Sequence, residues 1–202
     1  MKITAIEKNK GSRYTIYIDD EYWYILDYEL IVLNGLRVGF ECDEELLEDL
    51  REQAQKRKAR ERAFYLLEYR DHTRKELVDK LLKSVSPEIA EQTADRMEEL
   101  GYLDDRKYAK QYAVVLLEQK KLSKRAALYM MQQKGISKAL AEEIFADMDI
   151  DPRDQIRDLI EQKYERYLVD RKGLQKTVNA LMRLGYNYYD VKDVVREYYT
   201  EE

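Results

Sequence analysis

Three segments of this chain repeat one pattern, and that repetition limits the folds open to it. The first runs from Thr73-Arg-Lys-Glu-Leu77 through Leu81 to Val85-Ser86 and Ile89. The second runs from Ser123-Lys-Arg-Ala-Ala127 through Met131 to Gly135-Ile136-Ser137 and Leu140. The third runs from Gly173-Leu-Gln-Lys-Thr177 through Leu181 to Gly185-Tyr186-Asn187 and Val191. The period is about 50 residues, and a longer helical stretch leads each copy: Arg57–Tyr69, Asp105–Lys120 and Pro152–Asp170. A three-helix unit of this size cannot bury its apolar face alone, so the pattern predicts three tandem units, each packed on the next in a curved solenoid.

The joints are marked by local chemistry. Thr73 with Glu76 forms a capping box, in which hydroxyl and carboxylate each satisfy a free amide at a helix start. Ser86-Pro87 and Asp151-Pro152 pair a cap with a proline that has no amide to leave unsatisfied, and Gly101 suits a left-handed helix stop. Before the repeats the pattern is different. Ile3-Thr-Ala-Ile6, Tyr14-Thr-Ile-Tyr-Ile18 and Tyr22-Trp-Tyr-Ile25, separated by Asn9-Lys-Gly11 and Asp19-Asp-Glu21, predict a short antiparallel meander. Asp27 can cap a short helix over Tyr28 to Leu33, which Asn34-Gly35 stops. Either one helix or two broken near Gln53 to Lys58 then cover Asp43 to Tyr69. The expected organisation is a small α+β cap (1–45), a long helix with repeat 1 (46–103), repeat 2 (104–150) and repeat 3 (151–202). The fold class is mainly α.

Composition narrows the chemistry. One cysteine, Cys42, allows no internal disulfide and suits a reducing compartment; with one histidine, it cannot build a Cys/His zinc site. There is no phosphate-cradling glycine motif, and no apolar run long enough to span a membrane, so a cytoplasmic protein is expected. His72 precedes a helix cap with no nucleophile beside it, which makes a structural role the better reading. Asp104-Asp105 reads as a helix start rather than a metal pair. No catalytic residue, metal site or cofactor is expected.

The net charge is -5, yet cations gather where the first helix of each unit turns into the second. The groups are Arg70, Arg74 and Lys75; Lys120, Lys121, Lys124 and Arg125; and Arg171, Lys172 and Lys176. In stacked repeats such clusters form one stripe suited to phosphates or an acidic protein surface; alternatively they complement the dipoles of the helices they end. The run Lys56-Arg57-Lys58 with Arg60 and Arg62 reads as a solvated helix face. Among 18 tyrosines, Tyr65, Tyr108, Tyr112 and Tyr129 have the spacing of core positions. Tyr186, Tyr188, Tyr189, Tyr198 and Tyr199 cannot readily all be buried, and some of them suit a partner.

Arg70-x-His-Thr-Arg-x-Glu-Leu77, Gly101-Tyr-Leu-Asp-Asp105-x-x-Tyr-Ala109 and Lys134-Gly135-Ile136 after a basic helix resemble the RecX regulatory proteins of bacteria. The resemblance covers about residues 60 to 200, and the meander is similar to an extension seen in some members. One departure lies in repeat 2, where Ser123-Lys124 stands in place of a common Gly-Pro. The resemblance implies a non-catalytic modulator of RecA, the ATP-dependent recombinase that coats single-stranded DNA. Such a protein binds in the groove of the RecA–single-stranded DNA filament and inhibits ATP hydrolysis, filament extension and strand exchange. A monomer suits that groove, with the basic stripe facing RecA, DNA phosphates or both. The alternative is a stand-alone helical DNA-binding module acting without RecA, since short helix pairs resemble helix-turn-helix units.

Overall fold

Three strands, Ile3–Lys8 (β1), Arg13–Ile18 (β2) and Glu21–Asp27 (β3), form an antiparallel sheet in the order β1-β2-β3. They belong to a computed structural model in which residues 1–198 are described. Asp19 and Asp20, both at positive φ, make the tight turn between β2 and β3. The inward residues Ile3, Ile16, Ile18 and Leu26 pack on the short helix Tyr28–Leu33 (α1) and on Leu47, Leu50 and Ala54 of a long helix, Glu44–Tyr69 (α2). Asp27 does not cap α1 with its side chain. Its carboxylate instead accepts from the Ser12 hydroxyl at 3.2 Å and faces Arg57 at 3.5 Å. Arg57 also pairs with Glu29 and Glu61, so one guanidinium ties α2 to the end of the sheet and to α1.

The chain divides into two compact units. The first comprises Met1–Asp71 and Leu77–Leu103. Here α2 runs unbroken, despite its thin apolar face around Gln53 to Lys58, because Ala54, Ala59 and Ala63 let neighbouring elements approach closely. Its Ala59, Ala63 and Leu66 form one core with Leu77, Val78 and Leu81 of the helix Arg74–Leu81 (α3) and with Ile89, Ala90, Ala94 and Met97 of Pro87–Glu99 (α4). Ser86 caps α4 by accepting the Ile89 amide, with Pro87 at its first position, and Gly101, at φ 76°, follows the helix end.

The second unit holds His72–Glu76 and the chain from Asp104. It contains helices Asp105–Val114 (α5), Lys124–Gln133 (α6), Lys138–Ala146 (α7), Pro152–Leu159 (α8), Arg171–Arg183 (α9) and Tyr188–Tyr198 (α10). Two cores lie side by side along the sequence. One is built on Ala113, Leu116, Met131 and Ile144, the other on Ile156, Ile160, Leu181 and Val194. The repetition extends to surface ion pairs. Arg106 of α5 grips Glu143 of α7 with two bonds of 2.7 and 2.8 Å, and Arg153 of α8 meets Asp190 of α10 across the same 37-residue separation.

The leading helices depart from expectation at their ends. The stretch predicted as one helix over Asp105–Lys120 finishes in a π-helical turn, Val115–Gln119. The stretch predicted over Pro152–Asp170 breaks into α8, a π turn Ile160–Tyr164 and a 3₁₀ turn Glu165–Tyr167. Inserting a residue into the last turn shifts the helix register without changing the hydrophobic composition, so periodicity does not reveal it. Two tyrosines expected in the core are on the surface: Tyr65 is 62% exposed and Tyr129 64%. Both sit at the flank of an apolar stripe, not its centre. Tyr108 and Tyr112 are half-buried against the repeat-2 core, whereas Tyr186 is fully buried. Tyr188 and Tyr189 face solvent, Tyr198 is half-buried, and Tyr199 lies outside the described residues. Among the described residues, no helix is long and apolar enough to cross a membrane.

The carboxylates of Glu143 and Glu197 are each held below the usual range, first by hydrogen bonds from Arg106 and Arg157 respectively. A depressed folded-state pKa adds stability that is present above the unfolded value and is lost as pH falls through the folded one. Thermal melts should therefore show this contribution disappearing as pH drops below about 4. Glu143→Gln with Glu197→Gln should flatten that part of the profile.

Candidate partner-binding surface

The three basic clusters sit at three helix starts. Arg74-Lys75, Lys124-Arg125 and Arg171-Lys172 are the first two residues of α3, α6 and α9. The cap before each pair is polar. Thr73 accepts the Glu76 amide at 3.2 Å, Ser123 the Ala126 amide at 3.2 Å, and Asp170 the Gly173 amide at 2.6 Å. The Thr73 amide in turn reaches the Glu76 carboxylate at 3.4 Å, which completes the capping box. A helix start carries partial positive charge, so each cation there costs about 0.3–1 kcal/mol where an acid would stabilise. α6 and α9 have no acidic residue in their first turns. These pairs therefore do not serve the dipoles of the helices they begin. Arg70, at the end of α2, and Lys120 and Lys121, which close the leading helix of repeat 2, suit the dipole explanation.

Each start is seated against the next repeat. The Thr73 hydroxyl donates to the Lys134 carbonyl at 2.6 Å, the Arg74 amide donates to the Asp105 carboxylate at 2.8 Å, and Lys134 pairs with Glu76. The Lys75 stem lies across Gly135, where a Cβ would stand 2.5 Å from the lysine Cβ. One repeat later the Ser123 amide donates to the Leu184 carbonyl at 3.0 Å, and Ala126 lies across Gly185 in the same way. The start of α3 thus abuts the end of α6, and the start of α6 abuts the end of α9. With ten residues in α6, the two joints are about 15 Å apart.

The cations differ in what already holds them. Arg70, Arg74 and Lys75 are engaged within the chain; Arg70, for example, donates to the Asp71 carbonyl at 2.7 Å. Lys121 sits at φ 51°, which costs an L-residue about 1–2 kcal/mol, and its ammonium is held by Asp158 at 2.9 Å. The remaining six, Lys120, Lys124, Arg125, Arg171, Lys172 and Lys176, are exposed and have no hydrogen bond or ion pair among the described residues. Elsewhere on the surface some cations are paired, Lys56 with Glu52, Arg96 with Glu99 and Arg157 with Asp154 and Glu197, while others, such as Lys8, Lys10, Lys83 and Arg183, have no ion pair among the described residues either.

The other candidates resolve into architecture. His72 is buried, Asp104 caps α5 by accepting the Lys107 amide, and Asp105 holds the start of α3. Burial raises the Cys42 thiol, with Asp43 and Asp19 adding to the effect, so the thiolate is disfavoured. A cleft of about 430 Å³ in the first unit is lined by Leu30, Leu33, Arg57, Arg60 and Met97, with Glu29 as its one carboxylate. It brings no acid–base pair or nucleophile together. No group of acidic, histidine or cysteine side chains among the described residues could hold a metal ion.

Comparison with known proteins places the chain. Residues 1–43 match the regulatory protein RecX N-terminal domain, and residues 59–97 match the RecX first three-helix domain. Regulatory protein RecX of Clostridium botulinum is 30% identical over 203 residues, covering 97% of this chain and 95% of that protein. The chain belongs to the RecX family of regulatory proteins. RecX of Streptococcus sanguinis is 28% identical over all of this chain and 79% of its own length. Two crystal structures share the fold. One is of a regulatory protein RecX (TM-score 0.64, 24% identity, covering 95% of this chain and 98% of that one). The other is of RecX from Lactobacillus salivarius (TM-score 0.60, 22% identity, covering 71% and 96%).

Proposed function

We propose that this RecX protein is a non-catalytic regulator that binds RecA–single-stranded DNA filaments and inhibits RecA's ATP hydrolysis, filament extension and strand exchange. One observation carries the reading: cation pairs recur at the starts of α3, α6 and α9, against the helix dipole, and those of α6 and α9 have no partner within the described residues. Cations placed where they weaken the fold, and left unneutralised, serve an external anion. A filament of RecA on DNA offers anions as phosphates and as acidic side chains, and the RecA modulation implied by the resemblance to RecX regulatory proteins supports that partner. The protein acts inside the cell as a monomer, since a repeated row of short basic turns needs no second copy.

Titrating the protein into RecA on single-stranded DNA tests this. ATP hydrolysis is expected to fall as protein is added at substoichiometric levels. Unchanged hydrolysis at saturation would refute the reading. Sequence-specific binding to duplex DNA without RecA would instead support the stand-alone DNA-binding module.

A further inference from the structure

We infer that Tyr186 and Gln155 are a positioning pair: repeat 3 uses them to hold the repeat-2 basic turn in the conformation that meets the partner. This rests on the reading that these turns contact the filament. The turn between α5 and α6 is irregular over its whole length. The leading helix ends in its π turn, with the Lys120 amide donating back to the Val115 carbonyl at 2.9 Å. Lys121 then takes a left-handed conformation that a lysine does not favour, and Ser123 starts α6 two residues later.

Side chains from repeat 3 satisfy the backbone groups this irregularity frees. The Gln155 amide nitrogen donates to the Leu117 carbonyl at 2.6 Å, inside the π turn. The Tyr186 hydroxyl lies 2.9 Å from the Lys121 carbonyl and 3.0 Å from the Gln155 amide oxygen. A phenol has one proton, so the two acceptors share it. Gln155 and Tyr186 are both buried, where a hydrogen bond is stronger and its loss leaves an acceptor unsatisfied. Tyr186 occupies the place that Ile136 fills in repeat 2, and both are buried. The position itself does not demand a hydroxyl, since repeat 2 fills it with Ile136. What the tyrosine adds is a hydroxyl that reaches back to the turn carrying Lys120, Lys124 and Arg125.

The test uses the full chain, with half-inhibition of RecA ATPase on single-stranded DNA as readout. Tyr186→Phe keeps the ring and removes the hydroxyl. It should raise the half-inhibitory concentration by about three- to tenfold, the change expected from one buried hydrogen bond. Tyr198→Phe removes a hydroxyl from the same repeat that, among the described residues, bonds only Glu161, so it should change nothing. Tyr186→Phe and Lys120→Ala should be less than additive, because a misplaced Lys120 has less to lose. In the free protein, amide exchange at residues 120–123 should accelerate in Tyr186→Phe while exchange in α7 stays constant. Gln155→Met, which breaks the same link without touching the tyrosine, should behave alike.

Unchanged exchange in both variants overturns the inference. So does wild-type inhibition by Tyr186→Phe, full additivity with Lys120→Ala, or an equal effect of Tyr198→Phe. A wild-type protein that does not inhibit RecA instead defeats the functional reading, and amide exchange still judges the hold on the turn.

Discussion

Replacing Lys124 and Arg125 together by glutamate is expected to require about 10- to 100-fold more protein for half-inhibition of RecA ATPase. Both side chains are exposed at the start of α6 and neither has a partner among the described residues, so their loss removes no contact seen there. Reversing them places two negative charges opposite an anionic surface, and like charges brought together at an interface cost several kcal/mol. Lys56→Glu with Arg96→Glu, on the first unit, makes the same change in net charge at cations that already pair with Glu52 and Glu99. That control should shift inhibition far less. Equal shifts in both variants would mean that net charge matters rather than the helix starts.

The largest effect on stability is expected at Gly173. A glycine in a helix normally gains about 1 kcal/mol on becoming alanine. Here a Cβ would overlap the Tyr167 carbonyl oxygen, lie 2.8 Å from the carbonyl carbon and reach within 3.2 Å of the Asp170 side chain. The obstruction is backbone, which cannot swing away as a flexible side chain can. Gly173→Ala should therefore cost about 2–4 kcal/mol and lower the melting temperature by roughly 5–15 °C. Gly101→Ala has open space around its Cβ and meets only the strain of φ 76°, so its cost should be about 1–2 kcal/mol. Thermal melts of the two variants decide the order.

Much of the architecture is legible because it is written in local chemistry. Thr73 with Glu76, Ser86-Pro87 and Asp151-Pro152 mark helix starts that the fold uses, and the β-branched and aromatic clusters before Asp27 form the three strands. The π turns are not legible, since Val115–Gln119 and Ile160–Tyr164 read as ordinary apolar-periodic helix. At the candidate surface, sequence locates the clusters but not the difference within them. Lys121 and Lys124 look alike in the chain, yet one is held by Asp158 from the next repeat and the other has no partner among the described residues. That distinction depends on a contact 37 residues away. The role of Gln155 is not legible for a related reason: a glutamine in an amphipathic helix reads as surface. The one available signal was Tyr186 standing where repeat 2 has Ile136, since a tyrosine in a fully buried position needs a partner for its hydroxyl.

The central claim is that the cation pairs at the helix starts serve the partner at the expense of the fold. Lys124→Ala, Arg125→Ala, Arg171→Ala and Lys172→Ala in one chain test it through two readouts on the same sample. The melting temperature should rise by about 2–4 °C, because unfavourable charges leave two helix starts. Affinity for RecA–single-stranded DNA filaments should fall by about 100-fold or more. Unchanged affinity, or a fall in affinity accompanied by a lower melting temperature, would contradict the account.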